Sequence, residues 1–334
     1  MGVPYIVLAA YDNNAVANLV YQHNFGISPT TTNIEHIPVF PQADLWLLSP
    51  PCQPYTRGGR LQDSLDPRAA ALTHLTQCLL TMPVSALPQH LLLENVLNFE
   101  ASQSRRHLVD VLATRGYEIR EFLLTPMDPW IRIPNDRLRY YLTATRVSDA
   151  PRPAPLEADT HIVRSLVELL GAPPSEGQSP GRLLICDYME EAADPKYLVP
   201  EQFLAANRHY RHDVVRPDST RSATFTKAYG SKHLIGTGSL VQTENLLTDH
   251  YRAGEYCPEA LRRLGLRFFT PHEIARLHGF VLNVGHGDDG GGERKRFSFP
   301  PGVSLQQQYR LLGNSLNVVV VAALLRHLLQ QSPE

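Results

Sequence analysis

Leu45-Trp46-Leu47-Leu48-Ser49-Pro50-Pro51-Cys52-Gln53-Pro54-Tyr55-Thr56 is the stretch whose reading decides the fold of this 334-residue chain. Four apolar residues read as a short buried strand, and two prolines then stiffen the chain into an extended turn. In an open α/β sheet the ligand crevice lies beyond the carboxyl ends of the strands. A cysteine held there by a rigid backbone is a candidate nucleophile. The bland alternative, a buried cysteine beside a proline turn, is disfavoured by the length of the Pro-Pro-Cys-Gln-Pro string.

Outward from this stretch, strand-like and helix-like segments alternate. Residues 5–10 form an apolar run that reads as a buried strand ending at Tyr11-Asp12, and residues 15–25 have helical spacing. Residues 72–80 are helical, 90–93 read as a strand ending in Glu94-Asn95-Val96, and 108–114 are helical with Gly116 as the stop. Residues 117–124 and 138–144 read as strands. This alternation predicts a doubly wound, mainly parallel α/β sheet.

The alternation ends near Val147. Proline-rich 150–155 and the Gly/Pro/Ser-rich stretch 171–181 have loop composition, and periodicity stays weak to about Leu266. The expected organisation is one domain from residues 1–146 and 266–331, with a smaller domain at 147–265. Residues 268–279 return to a clean helix, where Thr270 caps, Pro271 takes the first position and Glu273 completes a capping box. Residues 285–296 read as a Gly/Asp-rich loop, and 309–329 as one long apolar helix.

A net charge of −2 gives no global nucleic-acid signature. Local basic clusters stand at Arg208, Arg211, Arg216 and Arg221, at Arg262, Arg263 and Arg267, and at Arg294, Lys295 and Arg296. Each alone reads as solvated surface charge. No apolar run approaches the roughly 20 residues that span a bilayer, so no membrane partner is expected. The start lacks the basic region of a signal peptide. Cys52, Cys78, Cys186 and Cys257 form no metal-ligand spacing, which suits a reducing compartment and predicts no metal. His74 and Cys78, four apart on a helix, read as packing.

Two further elements carry chemistry. Glu94 ends a strand, where a carboxylate beside a cysteine suggests an acid/base partner, although a capping role is the better reading of the tripeptide alone. In Asn135-Asp136-Arg137-Leu138-Arg139-Tyr140-Tyr141, period-two alternation puts Arg137 and Arg139 on one strand face. Two such guanidiniums are usually solvated, but they also suit a phosphate or a base carbonyl.

In order and spacing, the Pro-Cys-Gln, Glu-Asn-Val and Arg-x-Arg elements resemble the cytosine-5 methyltransferases. Phe269-Thr-Pro-His-Glu-Ile-Ala-Arg-Leu-His-Gly-Phe280 and Gln308-Tyr-Arg-Leu-Leu-Gly-Asn-Ser-Leu-Asn-Val318 resemble that family's last two motifs. The resemblance covers residues 5–146 and 266–330. Ser49–Arg60, Phe225-Thr-Lys-Ala-Tyr-Gly-Ser231 and Gly236-Thr-Gly-Ser239 are most similar to the type 2 subfamily, which methylates tRNA-Asp in its anticodon loop. Thr224 stands where that subfamily usually has cysteine.

The resemblance implies a Rossmann-like, S-adenosylmethionine-dependent methyltransferase sheet with a small target-recognition domain. It implies Cys52 as nucleophile, Glu94 as proton donor to the ring, and Arg139 on the cytosine carbonyl with Arg137 nearby. For S-adenosylmethionine it implies Asp12 on the ribose, Ile34 and Glu35 at the adenine, and Ser49 and Asn314 at the methionine end. The partner it implies is tRNA, with DNA as the alternative polymer and a catalytically silent nucleic-acid-binding homologue as a third reading. A monomer in cytoplasm or nucleus is expected. The family's opening strand and Phe/Tyr-x-Gly-x-Gly loop have no counterpart before Asp12. The resemblance therefore predicts a sheet lacking its first strand, with exposed apolar edges, poor stability and donor binding that is weak or absent.

Overall fold

The computed structural model describes residues 4–51, 69–150, 161–173, 182–251, 257–280 and 297–330. Strands β1 (Leu45–Leu48), β2 (His90–Val96), β3 (Tyr117–Leu124), β4 (Arg139–Arg146) and β5 (Ile162–Val163) form one sheet in the order β1-β2-β4-β3-β5. β1 runs parallel to β2 and β3 parallel to β5, while β4 is antiparallel to both of its neighbours. Four strands thus point one way, and the reversed β4 is inserted between β2 and β3. The expected mainly parallel α/β sheet is present, with this one antiparallel insertion.

β2 carries the apolar run Leu91-Leu92-Leu93, and both of its faces are covered there. Leu91 and Leu93 pack with Leu75, Leu79, Leu108 and Leu112 of helices α2 (Ala70–Thr81) and α3 (Gln103–Thr114). Leu92 points the other way, into a cluster with Phe122, Tyr141, Val320 and Leu324, the last two from helix α9 (Val318–Gln330). Each such fully buried leucine contributes roughly 1.5–3 kcal/mol. Behind β4, the Tyr140 hydroxyl and the Arg105 guanidinium both bond the buried Glu121 carboxylate, fastening α3 to β3 and β4. Gly116, with φ +81°, turns α3 into β3. A Cβ there would lie 1.8 Å from the Ser148 carbonyl oxygen, so only glycine fits.

Other elements complete the fold. Helix α1 (Ala15–Phe25) is capped by Asn14, whose side chain accepts from the Val16 and Ala17 amides, and it ends at Gly26 with φ +73°. Between β5 and residue 265 lie short helices α4 (Leu166–Leu170), α5 (Glu201–Ala206) and α6 (Pro258–Arg263) and short strands β6 (Val214–Val215) and β7 (Leu240–Val241). β8 (Arg267–Phe268) joins these as a three-stranded sheet, β6-β7-β8. Helix α7 (Pro271–Leu277) carries the expected Thr270/Glu273 capping box, and Glu273 also takes both nitrogens of buried Arg267.

Three expectations are corrected. Residues 5–10 are not a strand: among the described residues the pairing there is limited to a bridge at Tyr11 and Thr30, and Tyr5 and Ile6 are 79% and 85% exposed. An apolar run becomes a strand only where a ladder partner lies alongside it, and here the ladder is one bridge long. Among the described residues β1 is an edge strand, and it is not a fully buried one: Leu47 is exposed. The long helix expected at 309–329 is two helices, α8 (Leu305–Asn314) and α9, broken at residues 315–317. Asn317 forms the break: its side-chain oxygen accepts from the Val319 and Val320 amides, capping α9. By length and composition, residues 305–330 could cross a membrane. Val320, Val321, Leu324, Leu325 and Leu328 are buried in the main cluster, the packing of a core helix.

Candidate active site

Leu48 is level with Leu93 in the parallel β1–β2 ladder. The Ser49-Pro50-Pro51 turn therefore leaves β1 beside Glu94, at the carboxyl ends of neighbouring strands. Cys52, the expected nucleophile, lies outside the described residues, as do Arg294, Lys295 and Arg296.

Antiparallel register sets Glu94 opposite Tyr141 and Val96 opposite Arg139. Glu94 and Arg139 thus share a sheet face, and the Arg139 Nε stands 3.6 Å from the Glu94 carboxylate, both side chains about 15% exposed. Burial pushes the Glu94 carboxyl above its ordinary range, against the opposing pull of Arg139 and then Arg137. A strand-end carboxyl that holds its proton longer than usual suits a proton donor. Tyr141, fully buried beside it, has its phenol raised by burial and by Glu94, so it stays neutral.

Arg137 behaves differently from Arg139. It lies two residues before β4, 3% exposed. Its Nη1 donates to the Phe225 carbonyl at 3.2 Å, and its Nη2 donates to the carbonyls of Gly313, at 3.3 Å, and Ser315. Thr224, standing where cysteine was expected, donates its hydroxyl to the Asp136 carbonyl and fixes the backbone just before Arg137. Near both arginines lies a residue that motif reading passed over, the fully buried His278. Its Nδ1 donates to the Ile274 carbonyl, and its Nε2 has no hydrogen-bond partner among the described residues. Burial, with the Arg137 and Arg139 guanidiniums, lowers its pKa to about 3, so the imidazole is neutral.

The residues expected at the donor fall into two groups. Asp12 and the turn Ile34–His36 are tied together by a 3.0 Å bond between the Asn13 and Asn33 side chains. Asp12 is exposed just before α1, and its Oδ1 accepts from the Asn14 amide. Glu35 is exposed, while Ile34 is half-buried against the β1 side of the core. An exposed carboxylate suits a vicinal diol and an apolar side chain suits a purine face, so this group fits the ends of S-adenosylmethionine assigned to it. Ser49 is exposed at the end of β1, and Asn314 is exposed at the end of α8. His74, by contrast, has its Nε2 2.8 Å from the Ile37 carbonyl and 3.5 Å from the Cys78 sulfur, a packing arrangement in which that nitrogen donates.

Gly313, beside Asn314, packs backbone to backbone against the Phe225–Gly230 stretch. A Cβ there would lie 2.2 Å from the Thr226 carbonyl carbon and 2.3 Å from the Lys227 nitrogen. Neither can move like a side-chain tip. Gly313→Ala is expected to cost about 1–3 kcal/mol and to lower the melting temperature together with activity. An unchanged melt and rate would show that this approach is not required.

A model of the C-5 cytosine-specific DNA methylases matches residues 2–330. The chain belongs to this family. A mouse tRNA (cytosine(38)-C(5))-methyltransferase is 33% identical over 97% of this chain and 87% of its own length. A Dictyostelium discoideum DNA (cytosine-5)-methyltransferase is 31% identical over 100% of this chain and 90% of its own. A crystal structure of a Spodoptera frugiperda DNMT2 mutant aligns with a TM-score of 0.72 at 32% identity, covering 98% of this chain and 93% of that one. Like other cytosine-5 methylases the chain is an enzyme, and the family uses S-adenosylmethionine as methyl donor.

Proposed function

We propose that this chain methylates carbon 5 of a cytosine in tRNA. What carries the chemistry is the Glu94–Arg139 pair at the carboxyl end of β2, level with the turn into Cys52. What favours tRNA is the name of the mouse relative, which spans 97% of the chain. The Dictyostelium relative's name makes DNA the second reading. Residues 1–146 and 266–331 are assigned to catalysis and 147–265 to target recognition.

Carbon 5 of cytosine is a poor nucleophile. Addition of the Cys52 thiolate to carbon 6, with proton transfer from Glu94 to ring nitrogen 3, converts the ring to an enamine nucleophilic at carbon 5. Arg139 supports this by holding the ring carbonyl. Bound S-adenosylmethionine supplies the electrophilic methyl group, and Asp12, Ile34, Glu35, Ser49 and Asn314 are assigned to hold it. After methylation the carbon 5 proton leaves to solvent, the carbon–sulfur bond breaks with the thiolate as leaving group, and Glu94 recovers its proton. The base must leave its stack to reach these groups, which costs less in an unpaired loop than in a duplex.

Assay of tRNA and duplex DNA side by side, with tritiated donor, tests this reading. Methylation of tRNA with little on DNA is expected, and the reverse preference would transfer the proposal to DNA. Binding should also weaken with salt, since each neutralised phosphate adds about one to the slope. The basic clusters are not equal here. Arg216 pairs with Asp218, and Arg221 with Asp136 and Asp213. Arg208 and Arg211 are exposed and have no carboxylate partner among the described residues. Replacing Arg208 and Arg211 by Gln should reduce the salt slope by about two, and Arg221→Gln by less. An unaltered slope in the double variant would make this a solvated face only.

A further inference from the structure

The two arginines of Arg137-Leu138-Arg139 have separate employment. We propose that Arg137 is a positioning residue that clamps Gly313–Ser315 at the end of helix α8, and so sets Asn314 toward the methyl donor, instead of contacting the substrate base. This rests on the reading above that Asn314 lies at the donor.

A guanidinium is a planar fork whose donors diverge at fixed angles. In Arg137, one arm is directed at the Phe225 carbonyl and the other at the carbonyls of Gly313 and Ser315. Those last two carbonyls flank Asn314, so a single nitrogen grips the backbone on both sides of that residue. Asn314 itself is left exposed. Gly313 and Asn314 end helix α8 and Ser315 is its C-cap, and the final carbonyls of a helix lack intrahelical partners and carry the negative end of its dipole. A buried cation is the natural ligand for such a terminus, and Arg137 is 3% exposed. The other side of this helix end is held by the Gly313 approach to Thr226 and Lys227. The Phe225 carbonyl belongs to that same stretch, so the Arg137 guanidinium ties the end of α8 to it.

Arg139 has the complementary set of contacts. Its Nη1 donates to the Leu138 carbonyl, its Nε faces Glu94 at 3.6 Å, and it makes no bond to the 313–315 backbone. Arg139 is therefore the guanidinium at the proton donor, and Arg137 the one at the end of α8. A base-contact role through these arms would need them turned away from three carbonyls, one of them on the fully buried Phe225.

Calorimetric titration of the full chain with S-adenosylhomocysteine, without RNA, separates the roles. Arg137→Gln is expected to weaken binding by about 10- to 100-fold, the loss of one or two charge-assisted hydrogen bonds. Arg139→Gln should leave binding within about two-fold. At saturating donor, Arg137→Gln should recover most of kcat, its defect lying in the donor KM, whereas Arg139→Gln should stay slow. Arg137→Lys keeps the charge but not the fork and serves if the Gln variant does not fold; it should shift binding in the same direction by a smaller factor. Unaltered S-adenosylhomocysteine affinity in Arg137→Lys or Arg137→Gln, with kcat lost, would overturn the clamp and return Arg137 to the base. No binding by the unsubstituted chain would instead overturn the donor-site reading, and the clamp with it.

Discussion

Cys52→Ala abolishes methyl transfer and leaves the fold intact: that is the expected result with the largest effect. The expectation starts from the chain leading into position 52. β1 ends in register with β2, and two prolines follow, each with its backbone rotation fixed by its ring. The backbone at the carboxyl end of β1 is thus shaped by the prolines and not by the thiol. Alanine removes one sulfur atom and should cost the fold little. It removes the thiolate on which covalent addition to carbon 6 depends. A tRNA carrying 5-fluorocytosine makes the test sharp. Fluorine at carbon 5 cannot leave as a proton does, so the unsubstituted protein with bound donor should stall as a protein–RNA adduct visible on a denaturing gel. The Ala variant should form none, with an unchanged melting temperature. Substantial turnover by that variant would remove Cys52 from the mechanism.

How far the sequence foretold these features depends on whether the signal was local. The strand Leu45–Leu48, the helix Ala15–Phe25 and the Thr270/Glu273 capping box were legible because neighbouring residues carry them. The failure at residues 5–10 has the opposite cause. Strand formation needs a partner, and an apolar run does not announce which segment lies beside it. The break between α8 and α9 was hidden for a subtler reason. Gly313-Asn314-Ser315 lies inside a stretch apolar enough for one helix, and the feature that ends α8 and restarts α9 is the Asn317 cap.

At the site, residue types were legible but their partners were not. Period-two reasoning put Arg137 and Arg139 on one face and treated them alike. What distinguishes them is a set of backbone carbonyls at 225, 313 and 315, and carbonyls carry no residue identity to be read. His278 shows the same limit. Its sequence context marks a helix end, whereas its neutral state follows from burial beside two guanidiniums that arrive from far along the chain.

Glu94→Gln is the second large effect, and its size follows from what the carboxyl supplies. Glutamine keeps the length of the side chain and can still hydrogen-bond the ring, but it cannot deliver a proton to nitrogen 3. A loss of roughly 10²–10⁴-fold in kcat is expected of a missing general acid. Binding of S-adenosylhomocysteine should be spared, because the described contacts of Glu94 run to Arg139 and not to Asp12, Ile34 or Asn314. The pH dependence adds a second readout. Burial raises the Glu94 carboxyl, with Arg139 and then Arg137 opposing. The acid form therefore persists to higher pH than in an ordinary glutamate. The rate of adduct formation should fall as pH rises through that elevated value, since the proton donor is then lost. Thiolate formation at Cys52 changes the rate in the opposite sense, upward with pH, so the unsubstituted enzyme should show a maximum between the two limbs. In the Gln variant the falling limb should vanish while the thiolate limb remains. Retention of both limbs, or a rate within a few-fold of the unsubstituted protein, would make Glu94 a structural partner of Arg139 and require another donor for nitrogen 3.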